Sequence, residues 1–277
     1  MMRAWLIPGF FMKKIQLHIS DVTTVSTLDR GFNYGDGFFT TAKVIDGTIE
    51  LWPLHRERLR QCQQRLFFPE LDLDDLTTKL MHYVAECKLA VVKVVITRGV
   101  GGRGYSAPED TQPQAFVTVT PFPIHYETWQ QSGVALSIAQ TRLGLQPLLA
   151  GLKTLNRLEQ VLIKEEIRHN SAQDALVLNV SGNVIETSIA NIIAVRNGRF
   201  YTPDLTQSGI LGVFLQHLSC INTIEIIKMT LEDIYSMDAV FCCNSLMGLV
   251  PIKSISNQCY DLTLANKWRT ELNPSAY

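Results

Sequence analysis

Apolar and polar positions follow a strand-like period along much of the first half of the 277-residue chain. The segment GFFTTAKVIDGTIEL predicts two short strands joined by a turn at Asp46 and Gly47. The segment PLHRERLRQCQQRL opens with Pro53 and predicts a helix, and a second helix is predicted from about residue 74 to residue 88. The segments VVKVVITRG and AFVTVT predict further strands, so the first half reads as a mixed α/β unit.

The second half begins with the strand-like segment VALSIAQ and then changes to a helical period. Apolar residues recur there at three- and four-residue steps and predict one buried helix face: Leu155, Leu158, Val161, Leu162, Ile163 and Ile167. The segment DALVLNVSGNVIETSIANIIAVRNGRFYTP predicts a strand meander, because its Ser-Gly and Asn-Gly pairs are strong hairpin turns. The segment QSGILGVFLQHL predicts another helix behind a Ser-Gly pair.

The composition changes near Pro121 and Pro123, where a linker is expected. The sequence therefore predicts an α/β protein with an N-terminal α/β domain over residues 1–121. A linker over residues 122–130 and a C-terminal domain over residues 131–277 follow.

Charge and cysteine usage narrow the classes of function. The formal net charge of −1 argues against a general nucleic-acid binder. The six cysteines form no C-x-x-C pair and no metal-like spacing with histidine, and they predict reduced core thiols in a cytoplasmic protein. The opening MMRAWLIPGFFMKK predicts a strand and a turn rather than a signal peptide, and no apolar run is long enough to span a membrane.

Lys153 stands just before the predicted helix and behind a glycine. Taken alone, it is most simply a solvated lysine. A lysine whose pKa is lowered by its environment can instead form an imine with a carbonyl, such as the aldehyde of pyridoxal phosphate. That cofactor also needs a carboxylate at its pyridine nitrogen and a cradle for its phosphate.

Candidates exist for both of these groups. Glu186 lies on a strand of apolar or small residues, where a cationic pyridinium would offset the cost of its charge. An outward-facing glutamate is the alternative. For the phosphate, the N–H groups of Ile210 and Leu211 are predicted to be free at a helix start, and Arg58 adds a guanidinium. The alternative for Arg58 is a solvated face of a helix rich in arginine.

The glycine-rich GVGGRGY follows a strand, but the acidic PED comes where a dinucleotide-binding fold needs a helix. A loop that presents Arg103 and Tyr105 to an anionic substrate fits better, and a plain surface loop is the alternative.

In chain order, the segments LDRGFNYGDGFFTTAKVIDG, LHRERL, ITRGVGGRGYS, GLKTLNRLEQVL, ALVLNVSGNVIETSIANI and YTPDLTQSGILG resemble the fold-type IV pyridoxal-phosphate enzymes, or class IV aminotransferases. This group holds branched-chain aminotransferases, D-amino-acid aminotransferases and aminodeoxychorismate lyases. The resemblance implies a two-domain fold like that of D-amino-acid aminotransferase. Its C-terminal domain is barrel-like, the cofactor lies between the domains, and the protein is a homodimer.

The resemblance also implies roles for individual residues. Lys153 would bind the cofactor covalently and Glu186 would face the pyridine nitrogen. The residues expected around the phosphate are Arg58, Ile210, Leu211, Asn244 and Ser245. Arg103 and Tyr105 align with the loop that handles the substrate carboxylate.

Two positions depart from the family pattern. Leu158 stands where branched-chain aminotransferases have a tyrosine, so Asn156 is the expected polar neighbour of the ring hydroxyl. Phe39 replaces the carboxylate-binding tyrosine of D-amino-acid aminotransferase, which makes a simple D-amino acid a poorer substrate.

The segments GGRGYS and LKTLNRLEQVLI are most similar to the lyase members, which convert 4-amino-4-deoxychorismate to 4-aminobenzoate and pyruvate. In that reaction Lys153 would act as the base and Thr40 as a proton relay. A transaminase of the same fold is the alternative. A non-catalytic phosphate- or cofactor-binding protein is a third hypothesis, and it predicts the loss of Lys153 or Glu186, both of which are present.

Overall fold

A computed structural model describes residues 18–20, 24–169 and 172–273. The predicted strand and turn at the very start of the chain lie outside these residues. The first sheet has the order β1-β5-β4-β2-β3. Its strands are β1 (His18–Ser20), β2 (Gly37–Ile45), β3 (Thr48–Ile49), β4 (Leu89–Thr97) and β5 (Gln114–Pro121). As predicted, β2 and β3 form a hairpin at Asp46 and Gly47, both of which have positive φ.

The described residues of this part of the chain form helices α1 (Arg30–Tyr34), α2 (Trp52–Arg65) and α3 (Leu73–Val84). Pro53 lies in the first turn of α2, as the sequence predicts, because that position needs no N–H donor. The buried faces of α2 and α3 pack with the sheet into one core that includes Phe38, Leu59 and Leu76.

The second sheet curls into a closed ring. Its strands are β6 (Val134–Ile138), β7 (Asp174–Leu178), β8 (Val184–Thr187), β9 (Asn191–Arg196), β10 (Arg199–Pro203), β11 (Ile224–Ile227), β12 (Ala239–Asn244), β13 (Gly248–Ile255) and β14 (Gln258–Cys259). The order β9-β12-β13-β6-β7-β8 returns to β9, because Glu186 of β8 pairs with Asn191 of β9. The barrel-like sheet implied by the family resemblance is confirmed.

The remaining helices are α4 (His125–Ser132), α5 (Leu158–Arg168), α6 (Val213–Ile221), α7 (Leu231–Tyr235) and α8 (Leu262–Leu272). Helix α4 occupies much of the stretch predicted as a linker, and it lies between the last strand of the first sheet and the first strand of the ring. The assignment of separate domains stays a prediction. Within the described residues, no helix is both long and apolar enough to cross a membrane.

Two predictions about burial are wrong. Helix α5 begins at Leu158 rather than at Leu155, and only Ile163 and Ile167 of its apolar residues are buried. Leu158, Val161 and Leu162 are exposed, so one apolar face of α5 points away from the core. All six cysteines are free thiols, but Cys220 and Cys259 are exposed and are not core residues.

Candidate active site

A cavity of about 310 Å³ lies between the two sheets. Strand β2, helix α2 and the segment around Lys153 form one side of it, and the ring contributes β8 and the turns before α6 and after β12. Predicted site residues in its wall are Arg58, Lys153, Glu186, Ile210, Asn244 and Ser245. The cavity therefore brings together residues that are far apart in the sequence and come from both sheets.

The Lys153 segment is extended and pairs with β2. The N–H of Phe39 donates to the Lys153 carbonyl over 2.9 Å, and the N–H of Leu155 donates to the Gly37 carbonyl over 3.1 Å. These bonds hold residues 153–155 as added strand, which explains why the predicted helix starts three residues later than expected. Lys153 is thus fixed by the first sheet while its side chain enters the cavity.

The environment of Lys153 favours the neutral amine. Burial, followed by the positive charge of Arg58, lowers the pKa of Lys153 to about 8. Its Nζ lies 4.7 Å from the centre of the Phe39 ring. At neutral pH a minor fraction of this lysine is neutral, but that fraction is far larger than for an ordinary lysine, and it can act as a nucleophile or a base.

Glu186 is 5% exposed, and its Oε2 accepts a 3.0 Å hydrogen bond from the N–H of Ile210. Burial raises the pKa of this carboxyl to about 7, although the Ile210 bond and the charge of Lys153 act in the opposite direction. A cation placed beside Glu186 would hold the carboxylate ionised. The prediction that Glu186 faces inward is confirmed, and the alternative of an outward-facing glutamate is wrong.

Arg58 is buried and has only uncharged acceptors among the described residues. Its Nη2 donates to the Leu211 carbonyl over 3.0 Å, and its Nη1 lies 3.4 Å from Thr40 Oγ1. Its Nε has no hydrogen-bond partner there. Burial lowers the pKa of this guanidinium to about 10, so it remains a cation that lacks a counter-anion. The alternative of a solvated arginine is wrong.

The predicted free donors at Ile210 and Leu211 are not free. The N–H of Ile210 is bonded to Glu186, and the N–H of Leu211 donates to the Gly151 carbonyl over 3.1 Å. The physical reason is a parallel bridge between Gly151 and Ile210, which ties the lysine segment to this turn. Helix α6 begins at Val213 with Gly212 as an N-cap that has no capping side chain, and both residues line the cavity. The uncapped donors of this helix start therefore begin at Val213, two residues after Leu211.

Polar side chains shape the turns around this helix start. Asn191 holds the 210–212 turn from both sides: its Oδ1 accepts from the Gly212 N–H and its Nδ2 donates to the Ile210 carbonyl, each over 2.8 Å. Asn244 Oδ1 accepts from the N–H groups of residues 246 and 247, and Ser245 Oγ donates to the Thr41 carbonyl over 2.7 Å. Sequence reasoning missed Asn191, although an asparagine directly before the apolar run IIAV is a visible signal.

Asn156, predicted as a neighbour of the cofactor, does not line this cavity. It is exposed, and its Nδ2 donates to the Gly35 carbonyl over 3.1 Å. Arg157 lines the cavity instead. Its Nη2 donates to Thr154 Oγ1 over 3.0 Å. The site therefore holds a third cation that the sequence analysis did not single out.

Thr40, the predicted proton relay, does not line the cavity, whereas its neighbour Thr41 does. Thr40 is buried behind the cavity, and its Oγ1 lies 2.6 Å from His55 Nδ1. Burial lowers the pKa of His55 to about 3, so the imidazole is neutral. Thr41 points to the opposite face of β2 and lines the cavity. It therefore offers a cavity hydroxyl next in sequence to Thr40.

Arg103 and Tyr105 do not line this cavity. Both are exposed on the loop between β4 and β5, and Tyr105 is 88% exposed. Within a single chain, these two side chains are therefore not in position to bind a substrate in this cavity.

The residues present fit pyridoxal phosphate. A buried guanidinium with an unpartnered Nε and an uncapped helix start suit a phosphate. A buried carboxyl with a raised pKa suits a protonated ring nitrogen, and an amine with a lowered pKa suits an aldehyde. Among the described residues, no cluster of histidine, cysteine and acidic side chains could hold a metal ion.

The chain is similar to known proteins over most of its length. A family model for amino-transferase class IV matches residues 37–255. A curated aminodeoxychorismate lyase from Vibrio harveyi is 41% identical over 239 residues, which cover 84% of this chain and 88% of that protein. A D-alanine aminotransferase from Bacillus licheniformis is 27% identical, over 83% of this chain and 82% of that protein.

A solved structure supports the same relationship. The crystal structure of 4-amino-4-deoxychorismate lyase from Pseudomonas aeruginosa superposes with a TM-score of 0.86 at 35% sequence identity. The superposition covers 92% of this chain and 96% of that one.

Proposed function

Because the chain belongs to the amino-transferase class IV family, we propose that it is a pyridoxal-phosphate-dependent lyase. The proposed reaction converts 4-amino-4-deoxychorismate to pyruvate and 4-aminobenzoate, a folate precursor. The observation that carries the proposal is the presence of Lys153, Glu186 and Arg58 in one cavity, each in an environment that suits one part of the cofactor. The similarity to two lyases named above supports this choice of reaction.

Each residue would hold a different part of the cofactor. Arg58 and the start of α6 would bind the phosphate, with Asn244 and Ser245 beside them. Glu186 would receive the ring nitrogen while the Ile210 N–H keeps its carboxylate oriented. When bound, pyridoxal phosphate supplies an aldehyde for imine formation and an electron sink.

The side chains of this protein would then move the protons. Lys153 Nζ, neutral in part at pH 7, would remove the proton from the ring carbon that carries the substrate nitrogen. Cleavage of the C–O bond to the enolpyruvyl group makes the ring aromatic. The departing enolpyruvate needs one proton on its methylene carbon to become pyruvate. Thr41 lines the cavity, so it would relay that proton in place of Thr40.

A transaminase of the same fold is the second candidate. The specific observation in its favour is the similarity to a D-alanine aminotransferase over most of the chain. Phe39 in the cavity wall counts against a small D-amino acid, because its ring has no hydroxyl to bind a carboxylate.

The two candidates are separated by one incubation. Purified protein loaded with pyridoxal phosphate is mixed with 4-amino-4-deoxychorismate, without an amino acid or a 2-oxo acid. We expect 4-aminobenzoate and pyruvate in equal amounts. A requirement for both an amino donor and a 2-oxo acid, with no pyruvate released beside 4-aminobenzoate, would make the protein a transaminase.

The cofactor lysine is tested in the same preparation. Borohydride reduction followed by peptide mass spectrometry should find the cofactor on Lys153, and Lys153→Ala should lose both the adduct and turnover. Lys93→Ala is the matched control, because Lys93 Nζ also lies over the Phe39 ring, at 5.0 Å. An adduct of undiminished yield in Lys153→Ala would refute the assignment.

The proposed enzyme acts as a homodimer in the cytoplasm. Free thiols at all six cysteines suit a reducing compartment. The exposed face of α5 (Leu158, Val161 and Leu162) supports a second copy of the chain as its cover. Arg103 and Tyr105 could then bind substrate carboxylate in the cavity of the partner copy, so Arg103→Ala should mainly raise KM.

A further inference from the structure

The loop between β4 and β5 combines exposed side chains with a fixed backbone. Arg103 and Tyr105 extend into solvent, whereas the start of the loop and its residues 104–106 are hydrogen-bonded to the segment around Arg30. At the loop base, the Arg30 N–H donates to the Gly99 carbonyl over 2.9 Å. The Gly101 N–H donates to the Leu28 carbonyl over 3.2 Å.

The Arg30 guanidinium holds the far side of the same loop. Its Nη2 donates to the Tyr105 carbonyl over 2.6 Å, and its Nη1 donates to the carbonyls of Gly104 and Ser106 over 3.1 and 3.3 Å. Arg30 is only 3% exposed, so these bonds are shielded from water. One side chain thus fixes three consecutive carbonyl groups next to Arg103.

A shared carboxylate anchors this guanidinium. Asp36 Oδ2 accepts from Arg30 Nε and from Arg98 Nε, each over 2.8 Å. Arg98 in turn donates to the carbonyls of residues 66 and 67, which follow the C-terminal end of α2. The loop is therefore connected through Arg30, Asp36 and Arg98 to the helix that carries Arg58.

We propose that Arg30 is a positioning residue that fixes the 104–106 backbone and so presents Arg103 and Tyr105 to the substrate carboxylate. This inference rests on the proposed function, because it takes from it the role of the loop. Arg30 itself is not part of the cavity lining. Its expected effect is on substrate binding rather than on the chemical step.

Two glycines of the loop give a matched pair for the test. A Cβ at Gly101 would lie 2.6 Å from Arg30 Cδ and 2.8 Å from Arg30 Cγ, so it would displace the Arg30 side chain. A Cβ at Gly102 would meet nothing within 4 Å, and neither residue has the positive φ that would strain an alanine. Gly101→Ala therefore disturbs the clamp, by which we mean the hydrogen bonds from the Arg30 guanidinium to the carbonyls of residues 104–106. Gly102→Ala makes the same chemical change at the next residue and leaves these bonds in place.

The test measures the loop and the reaction separately in the holoenzyme. The first readout is the rate at which trypsin cuts between Arg103 and Gly104 in the native protein, followed by mass spectrometry. The second is KM and kcat for 4-amino-4-deoxychorismate. Arg30→Lys keeps the charge beside Asp36 but cannot form the fork to three carbonyls. Arg65→Lys is its control, because Arg65 holds the carbonyls of Pro147, Leu148 and Ala150 in another loop.

We expect Arg30→Lys and Gly101→Ala to be cut about tenfold faster and to raise KM about tenfold, with kcat within about threefold of wild type. Gly102→Ala should match wild type in both readouts, and Arg65→Lys should match it in cutting at Arg103. Unchanged cutting in Arg30→Lys and Gly101→Ala would refute the clamp. Faster cutting with an unchanged KM would refute the positioning role. A wild-type protein that does not turn over 4-amino-4-deoxychorismate would refute the proposed function, while the cutting rates would still decide the clamp.

Discussion

Glu186 and Arg58 are single residues whose burial is costly unless a ligand of opposite charge is bound. The Glu186 carboxyl has uncharged and cationic neighbours, and yet burial dominates its pKa. The Arg58 guanidinium bonds only to a hydroxyl and a carbonyl among the described residues. Burial of these two charges lowers the stability of the cofactor-free protein, and a bound cofactor would offset that cost.

Glu186→Gln should change how the stability of the cofactor-free protein depends on pH. The pKa of Glu186 is raised from the ordinary 4.5 to about 7, so below pH 4.5 the group is protonated in both the folded and the unfolded state. Between these values the unfolded state ionises first, and folding loses stability as pH rises, on the order of 3 kcal/mol in total. Urea unfolding at pH 5 and pH 8 measures the free energy of unfolding of both proteins. Relative to wild type, the variant should be more stable at pH 8 than at pH 5.

The amide of this variant can still accept the Ile210 N–H, so the comparison isolates the charge. Saturating pyridoxal phosphate should reduce the gain at pH 8, because a cationic ring then stabilises the carboxylate of the wild type. Equal pH dependence of the two cofactor-free proteins would mean that Glu186 does not titrate in this range.

Arg58→Gln should weaken cofactor binding by about 10- to 100-fold, because a charge-assisted contact to a phosphate contributes about 1.5–3 kcal/mol. Arg56→Gln is the matched control on the same helix, since Arg56 is 42% exposed and pairs with Asp74 over 2.7 Å. The measurement is the dissociation constant of pyridoxal phosphate by fluorescence titration. Similar constants for the two variants would contradict the role of Arg58 in holding the phosphate.

At the scale of the element, neighbouring side chains of strand β2 point alternately into the first core and into the cavity. Phe38, Thr40 and Ala42 are buried in the first core, whereas Phe39 and Thr41 line the cavity. The alternation of a strand places every second side chain on the same face. Thr40 and Thr41 have the same side chain and differ only in the face of β2 on which they lie.

Thr41→Val should reduce turnover by about 10²-fold with little change in stability, since it removes a hydroxyl that is placed to move a proton. Thr40→Val should mainly lower stability and cofactor affinity, because it leaves His55 Nδ1 buried without its 2.6 Å partner and removes a contact of Arg58. Kinetics and thermal unfolding of both variants test the assignment. Loss of turnover confined to Thr40→Val would restore the original prediction for Thr40.

Local patterns predicted most of the elements but not the long-range pairing that modifies them. The period of two predicted β2, and the Asp46–Gly47 pair predicted its hairpin, because both signals act within a few residues. The start of α5 was misplaced because Leu155 bonds to Gly37, more than a hundred residues away. The donors at Ile210 and Leu211 were misjudged for the same reason, since Glu186 and Gly151 take them up.

At the scale of the whole molecule, the motifs predicted which residue types the site contains. Lys153, Glu186 and Arg58 meet as expected. Arg157 could not be selected from the sequence, because its role depends on which way the segment before α5 faces the cavity. The sequence shows that Thr40 and Thr41 lie on opposite faces of β2. It does not show which of these two faces meets the cavity.

One exposed surface connects the loop of Arg103 with helix α5. The Tyr105 ring lies 5.6 Å from the Tyr34 ring at the end of α1, and the Gly35 carbonyl beyond it accepts from Asn156 just before α5. Leu158, Val161 and Leu162 continue the surface. This continuity is what a second copy would need to cover α5 and meet the loop at once.

Val161→Glu should therefore convert the proposed dimer to a monomer, because a charge would be buried at the centre of the interface. Ile226→Glu is the control, since Ile226 is also an exposed apolar residue, 70% accessible, but lies on β11. Sedimentation velocity gives the masses. A dimer that persists in Val161→Glu would place the interface elsewhere.

The closure of the strand ring also dictates when the site can form during synthesis. The parallel pairing of β6 with β13 joins Val134 to Ile252, and both Lys153 and Glu186 lie in the stretch of chain between them. A nascent polypeptide that ends before β13 already contains the lysine, the carboxylate and Arg58, but it has no ring to hold them. We therefore expect a chain that stops before β13 to bind no pyridoxal phosphate and to expose unpaired edges of β6 and β12 to aggregation.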